Sequence, residues 1–261
     1  LNKGKIKEVK KIKILNGLQM TIKKDKRNAL VTGGITGIGL EVVKELKKEG
    51  CLVIANYPPH MKEKALKIKK DIGVDIVEFD ASNYDDVEKA IKKLESNYGE
   101  IDILINNAGI TKDGFLHKMP VNDWQAVLRT NLDSVFNCCR VVLPSMRGNE
   151  FGRIINISSV NALKGQVGQT NYCASKAAII GFTKALALEN AAKGVTVNAI
   201  APGYVDTEMV KKIDSDILES QILTQIPMNR LAKTSEIAFL IRHLIKDESA
   251  YLTGQTISIN G

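Results

Sequence analysis

Histidine is almost missing from this chain of 261 residues: His60, His117 and His243 stand far apart and form no ligand cluster. Cysteine is scarce too, with four residues at positions 51, 138, 139 and 173. Neighbouring Cys138 and Cys139 cannot chelate one ion with useful geometry, and the overall spacing suits neither a zinc site nor a disulfide framework. No metal is therefore expected. The cysteines read as small buried apolar groups in a reducing compartment, and a cytoplasmic location is expected. No apolar run approaches the roughly 18 to 20 residues of a membrane span. The lysine-rich start lacks the apolar stretch and small-residue cleavage site of a secretory signal. With 44% hydrophobic and 25% charged residues, the chain has the make-up of a globular protein with a sizeable core.

The net charge of +8 has a single source. Residues 1–27, "LNKGKIKEVKKIKILNGLQMTIKKDKR", carry ten Lys/Arg against two acids, and the other 234 residues carry 27 of each sign. The body is neutral. A basic arm can touch nucleic acid or an anionic surface. This one has no aromatic residue to stack on a base. A flexible, solvated extension over residues 1–24 is expected, or translated sequence ahead of a start at Met20, and no nucleic-acid or membrane partner.

Apolar runs alternate with helix-period segments over the rest of the chain. The strand runs are 28–33, 51–57, 74–80, 101–109, 152–158, 195–203 and a short seventh at 255–260. Between them, Ile38, Val42 and Leu46 fall on one helical face ahead of Gly50, and Val87, Ile91 and Leu94 on another behind Ser and Asn cap candidates. A long helix is expected through Trp124 to about Met146, and another from near Tyr172 to about Lys193. Repeated β-α alternation with nearly continuous apolar strands predicts a parallel sheet with helices on both faces. The expected fold is α/β, one doubly wound domain over residues 25–261. Residues 204–227 are polar and irregular, the composition of a lid or a surface excursion.

"TGGITGIG" (32–39) joins the first strand to the first helix, with glycines at 33, 37 and 39. Backbone without Cβ can approach a pyrophosphate there, and the helix N-terminus supplies free N–H groups and partial positive charge. Any tight βα turn uses glycine, but this one stands at the first such turn of a doubly wound sheet, where dinucleotides bind. An acid about 20 residues on usually holds the adenosine ribose of NAD. Here "IANYPPHMKEKA" offers Asn56 and no acid until Glu63, while Lys62 or Lys64 could pair with a 2′-phosphate. NADPH is expected, with NADH as the alternative.

Tyr172 and Lys176 are four apart, one turn from each other on a helix face. Ser159 directly follows the fifth strand run. With "TGGITGIG", "FDASN", "INNAGITKD", "TNLDSVFN", "GRIINISSVN", "NYCASKAAIIGFTKALALE" and "VTVNAIAPGYVDTEM" in that order, the chain from residue 28 onward resembles the short-chain dehydrogenases/reductases, a Rossmann-fold family. The resemblance implies a catalytic tetrad at Asn131, Ser159, Tyr172 and Lys176, with Asn131 holding a proton-relay water. It implies nucleotide contacts at Gly33, Ile35, Gly37, Ile38 and Gly39 for the pyrophosphate and at Asp80 and Ala81 for the adenine. Asn107, Ala108 and Gly109 would lie along the nucleotide, Pro202, Gly203 and Val205 beside the nicotinamide, and Lys176 on its ribose. "GITKDGFLHKM" and "SSVNALKGQVGQTNY" are most similar to family members that reduce acetoacetyl-CoA in polyhydroxybutyrate synthesis. Those acting on 3-oxoacyl-acyl-carrier-protein in fatty acid synthesis are the alternative. By that analogy Asp113, Lys118, Gln166, Val167, Gln169 and Tyr204 would meet the thioester substrate. Family members are commonly tetramers, so a homo-oligomer is expected. Relatives usually continue beyond the final "SING". A non-catalytic nucleotide-binding module is the distant alternative, against which the intact tetrad stands.

The chemistry explains the residue types. Reducing a ketone needs a proton for the developing oxyanion, and a phenol of pKa about 10 is about three units too weak for work near neutrality, roughly 4 kcal/mol. An ammonium on the next turn, with an oxidised nicotinamide nearby, is expected to make up that difference by favouring the tyrosinate in a partly dry cleft. Deleting residues 1–19 is expected to leave reductase activity intact; an activity loss with the fold retained would give the arm a role in the site.

Overall fold

A computed structural model describes residues 26–208, 210–212 and 214–261. The basic extension thus lies outside the described residues. The strands are β1 Asn28–Val31, β2 Leu52–Tyr57, β3 Asp75–Glu78, β4 Ile103–Asn106, β5 Gly152–Ile157, β6 Val195–Pro202 and β7 Thr256–Ile259. They form one parallel sheet in the order β3-β2-β1-β4-β5-β6-β7. The helices are α1 Gly37–Lys48, α2 Lys62–Ile72, α3 Tyr84–Tyr98, α4 Val121–Leu128, α5 Ser134–Gly148, α6 Asn161–Lys164, α7 Thr170–Asn190, α8 Ser215–Ile217 and α9 Thr234–Leu244. This is a doubly wound Rossmann fold. The chain reverses direction across the sheet between β1 and β4, the switch point where such sheets open a crevice.

Strand residues alternate between two cores. Ala29 and Val31 of β1 pack with Val42, Val43 and Leu46 of α1 and Ile237, Ile241 and Leu244 of α9. Leu30, between them, faces Val87, Ile91 and Leu94 of α3, Val135, Cys138 and Val142 of α5 and Ile179 of α7. The period of two in each strand meets helices on both sides, which is why the runs read as continuously apolar.

Three departures from the expected elements matter. Helix α9 is an addition. Its Ile237, Ile241 and Leu244 have helical spacing, but Lys233 stands at the N-cap, where sequence reading looks for Ser, Thr, Asp or Asn; the Glu236 carboxylate takes over by accepting the Lys233 N–H at 2.7 Å. The expected long helix from Trp124 to Met146 is interrupted by a π-turn at Arg129–Asp133 between α4 and α5. That turn places Asn131 inward, fully buried. The irregular 204–227 segment resolves into short helical pieces: 3₁₀ turns at Val210–Lys212 and Leu223–Gln225, α8, and a π-turn at Leu218–Ile222.

The β1–α1 turn is closely packed. Gly33 has φ +59°, in the left-handed region. A Cβ on Gly39 would lie 2.3 Å from the Gly33 carbonyl oxygen and 2.5 Å from Asn107 Nδ2, so α1 docks on the turn only without one. Gly39→Ala is expected to destabilise the fold by about 1–3 kcal/mol, read as a lowered urea midpoint; an unchanged midpoint would mean that α1 can shift freely.

Candidate active site

Two loops meet at the switch point. Thr32 Oγ1 accepts the backbone N–H groups of Asn107 (2.9 Å) and Ala108 (3.0 Å), and Asn107 Nδ2 donates to the carbonyls of Thr32 (3.0 Å) and Gly33 (3.2 Å). The polar "NNAG" end of β4 is thus locked onto the glycine turn. The first turn of α1 carries no acidic residue, and the Thr36 side chain does not cap it. Its N–H groups and partial positive charge are left for an anion, and these residues fit a dinucleotide pyrophosphate.

Across the sheet, β5 ends at Ile157, and Ser158 and Ser159 follow. Helix α7 presents its buried stripe, Asn171, Ser175, Ile179, Thr183, Leu186 and Asn190, at helical spacing, polar near the cleft and more apolar beyond. Tyr172 and Lys176 flank that stripe. Against the effect of burial, the Ser159 hydroxyl acts on the Tyr172 phenol and pulls its pKa down. Ser159 Oγ accepts the N–H of Asn161 at 3.1 Å, which leaves its proton to point outward. The ammonium of Lys176 donates to the Ile157 carbonyl at 2.7 Å and lies 5.8 Å from the Tyr172 ring centre. A cleft of about 330 Å³ is lined by Gly33, Gly37, Ile38, Asn107, Ala108, Gly109, Asp113, Ser159, Gln169, Tyr172, Lys176, Pro202, Gly203, Tyr204 and Val205.

A nucleotide-shaped cleft, with a serine, a phenol and an ammonium converging on it, is thus on the β5–α7 side of the switch point. The family model described as short chain dehydrogenase matches residues 27–218. The chain belongs to that family. It is a nicotinamide-nucleotide-dependent oxidoreductase. It is 49% identical over 235 residues to an acetoacetyl-CoA reductase of Shinella zoogloeoides, covering 90% of this chain and 97% of the relative. Similarity to the acetoacetyl-CoA reductase of Rhizobium meliloti is 46% over the same shares. A 3-oxoacyl-[acyl-carrier-protein] reductase of Staphylococcus aureus is 43% identical over 240 residues, again 90% and 97%.

Several expected site residues are also held by bonds within the protein or stand outside the cleft lining. The Asn131 side chain is engaged with protein groups. Its Oδ1 accepts the Ile110 N–H (2.8 Å), and its Nδ2 donates to the Ile110 carbonyl (3.1 Å) and Ser175 Oγ (3.0 Å). The amide is a strut between the β4 loop and α7. Asn56 is buried, its Nδ2 donating to the carbonyls of Phe79 (3.0 Å) and Tyr57 (3.3 Å) and its Oδ1 accepting Gly33 N–H. It braces the glycine turn instead of facing a ribose. The Ile35 side chain belongs to the core, and Gly39 serves helix packing. Asp80 and Ala81 follow β3 outside the cleft lining; Asp80 Oδ1 accepts from Ser82, and the Ala81 carbonyl accepts Asn137 Nδ2. Lys118, Gln166 and Val167 are exposed beyond the lining. Glu78, brought beside Tyr57 by the β2–β3 register, adds to burial in pushing that phenol's pKa up and lies 4.0 Å from Lys62. Chain distance hid this acid.

The walls also include residues that motif reading passes over: Thr36, Thr111, Ser158, Asn161, Thr207, Glu208 and Val210. Asn161 and Thr207 stand inside the recognised motifs "GRIINISSVN" and "VTVNAIAPGYVDTEM", the only signal they carry. On the substrate side, Asn161 Nδ2 donates to Gln169 Oε1 (3.0 Å) and Gln169 Nε2 to Asp113 Oδ2 (2.9 Å). The Lys164 ammonium sits 5.6 Å from the Tyr204 ring centre at the cleft mouth. Lysines elsewhere on the rim face acids: Lys112 with Asp123 at 2.8 Å, Lys211 with Asp206 at 3.7 Å.

The protein groups alone do not acidify Tyr172. Burial pushes its pKa above the ordinary 10; the Ser159 hydroxyl pulls it down, while Cys173 and Asp113 add to the rise. The ammonium, held at Ile157, does not contribute. Lys176 is itself pushed down from 10.5 to about 8 by burial. Between those values the unfolded chain binds the extra proton, so the penalty is full below pH 8 and gone by about pH 10.5. Lys176→Met is expected to stabilise the fold at pH 7 by about 1–3 kcal/mol, with the gain shrinking at pH 10. Urea titrations at both values check this; equal gains would contradict it.

Proposed function

We propose that the protein reduces a 3-oxoacyl thioester to the 3-hydroxyacyl thioester with NADPH, and that acetoacetyl-CoA is its substrate, giving 3-hydroxybutanoyl-CoA. The observation that carries this reading is the convergence of Ser159, Tyr172 and Lys176 on one cleft in a chain 49% identical to an acetoacetyl-CoA reductase. The nicotinamide, when bound, supplies the hydride. Ser159 directs its hydroxyl proton to the substrate oxygen and so favours the developing oxyanion. Tyr172 delivers the proton to that oxygen. Lys176 holds the ribose side of the nucleotide and, drawn from Ile157 toward the cleft, lowers the phenol's pKa in a partly dry environment. Gly33, Gly37 and the N-terminus of α1 would hold the pyrophosphate, and Pro202, Gly203 and Val205 the nicotinamide end.

NADPH is favoured over NADH because the end of β2 presents no free carboxylate. Asn56 is turned inward and Glu78 is shared by Tyr57 and Lys62. Asp113, Gln169 and Tyr204 line the substrate side, with Lys118, Gln166 and Val167 further out along the path of the thioester's carrier arm. The 43% identity to a 3-oxoacyl-[acyl-carrier-protein] reductase keeps the protein-bound thioester as the second reading. A homotetramer in the cytoplasm fits the family resemblance.

Turnover of acetoacetyl-CoA is expected to exceed that of the acyl-carrier-protein thioester, and NADPH to be preferred over NADH. The reverse order in either pair overturns that part of the reading. Tyr172→Phe is expected to fold, bind NADPH and lose about 10²–10⁴-fold in kcat. Near-normal turnover by this variant would remove the phenol from the mechanism.

A further inference from the structure

The reacting side chains come from two elements, the end of β5 (Ser159) and the first two turns of α7 (Tyr172 and Lys176). Sheet hydrogen bonds tie β5 to β4 and β6 and leave α7 to be placed by other means. Two bonds cross from residues 157 and 158 to one residue of α7. The Lys176 ammonium donates to the Ile157 carbonyl at 2.7 Å. The Ser158 hydroxyl donates to the Lys176 carbonyl at 2.8 Å. They run in opposite directions, so consecutive residues at the strand end grip Lys176 by its head and by its backbone.

The two bonds are not equivalent. The first depends on an ammonium that the proposed mechanism also assigns to the nucleotide ribose. The second depends on a neutral hydroxyl, 2% exposed, which keeps its partner whatever the ammonium does. At the tyrosine end, Asn131 donates to Ser175 Oγ, and Ser175 Oγ donates to the Tyr172 carbonyl at 2.8 Å. Ser175, however, lies on α7 itself, and its bond cannot set the helix against the strand. Ser158 can.

We propose that Ser158 is a positioning residue: its hydroxyl fixes α7 against the end of β5, and with it the placement of Lys176 and Tyr172 relative to Ser159. The inference rests on reading that trio as the reacting site. A buried hydroxyl also needs a partner for its own sake, and the test separates the two roles.

Ser158→Ala and Ser158→Cys are compared with the unaltered protein, cysteine being of similar size but a weak donor. Misplacement of reacting groups by a fraction of an ångström is expected to lower kcat for acetoacetyl-CoA about tenfold or more in Ser158→Ala, with the thioester KM nearly unchanged. NADPH affinity, followed by its fluorescence, is expected to weaken about threefold to fivefold as Lys176 loses its register. The pH midpoint of kcat should move upward, and Ser158→Cys should fall between the other two. Wild-type kcat and NADPH affinity in Ser158→Ala would overturn the proposal, as would losses that scale only with a lowered unfolding midpoint. If Ser158→Ala fails to fold, Ser158→Cys carries the comparison. If the unaltered protein reduces no 3-oxoacyl thioester, the functional reading fails, and the NADPH titration still decides the role of Ser158.

Discussion

Burying an ammonium group opposes everything else that folds this chain. Lys176 is 4% exposed, its hydrogen-bond acceptor is a backbone carbonyl, and burial alone drags its pKa to about 8. Removing a cation from water is expensive unless it is paired. Among the described residues no carboxylate answers it. The surrounding core supports this arrangement: β5 and β6 are buried along their whole length, and Ile179 and Leu186 anchor α7 beyond the cleft. A local loss in stability is held where the site needs a cation, as strained functional groups are in other folds.

The phenol next to it is shaped by the same dryness. Burial raises the pKa of Tyr172, and only the Ser159 hydroxyl lowers it. The pair is thus not acidified simply by standing one turn apart. Spacing on α7 puts the ammonium within reach, but its bond to Ile157 holds it on the strand side. The distance that matters is set by how α7 docks on β5, so polar contacts at that junction bear directly on catalysis. The glycine turn follows the same logic: Asn56, Thr32 and Asn107 are all engaged in holding backbone, which fixes the turn that leads into α1.

Much of this was legible beforehand. All seven strand runs contain an observed strand, because the central strands, buried on both faces, leave short unbroken apolar stretches that recur between helix-period segments. The Gly-rich turn, "NNAG", Ser159, Tyr172 and Lys176 were visible as motifs, and the cleft assembles them. Helix α9 was hidden by its lysine N-cap, and the π-turn by the uninterrupted helical pattern on both sides of it. Glu78 was invisible near Tyr57 because strand pairing, not chain proximity, puts them together.

The order of residue types along the chain determined the fold class, the element list and which side chains carry the chemistry. Each of these depends on local periodicity or on spacing within one element. Tertiary structure alone decided which polar groups remain available. Asn131 and Asn56 turn their amides to backbone within the protein, while Ser158, unremarked in the motif, joins strand to helix. Hydrogen-bonding capacity is finite, and whether an amide or hydroxyl faces a ligand or its own backbone depends on partners that lie 18 to 75 residues away along the chain.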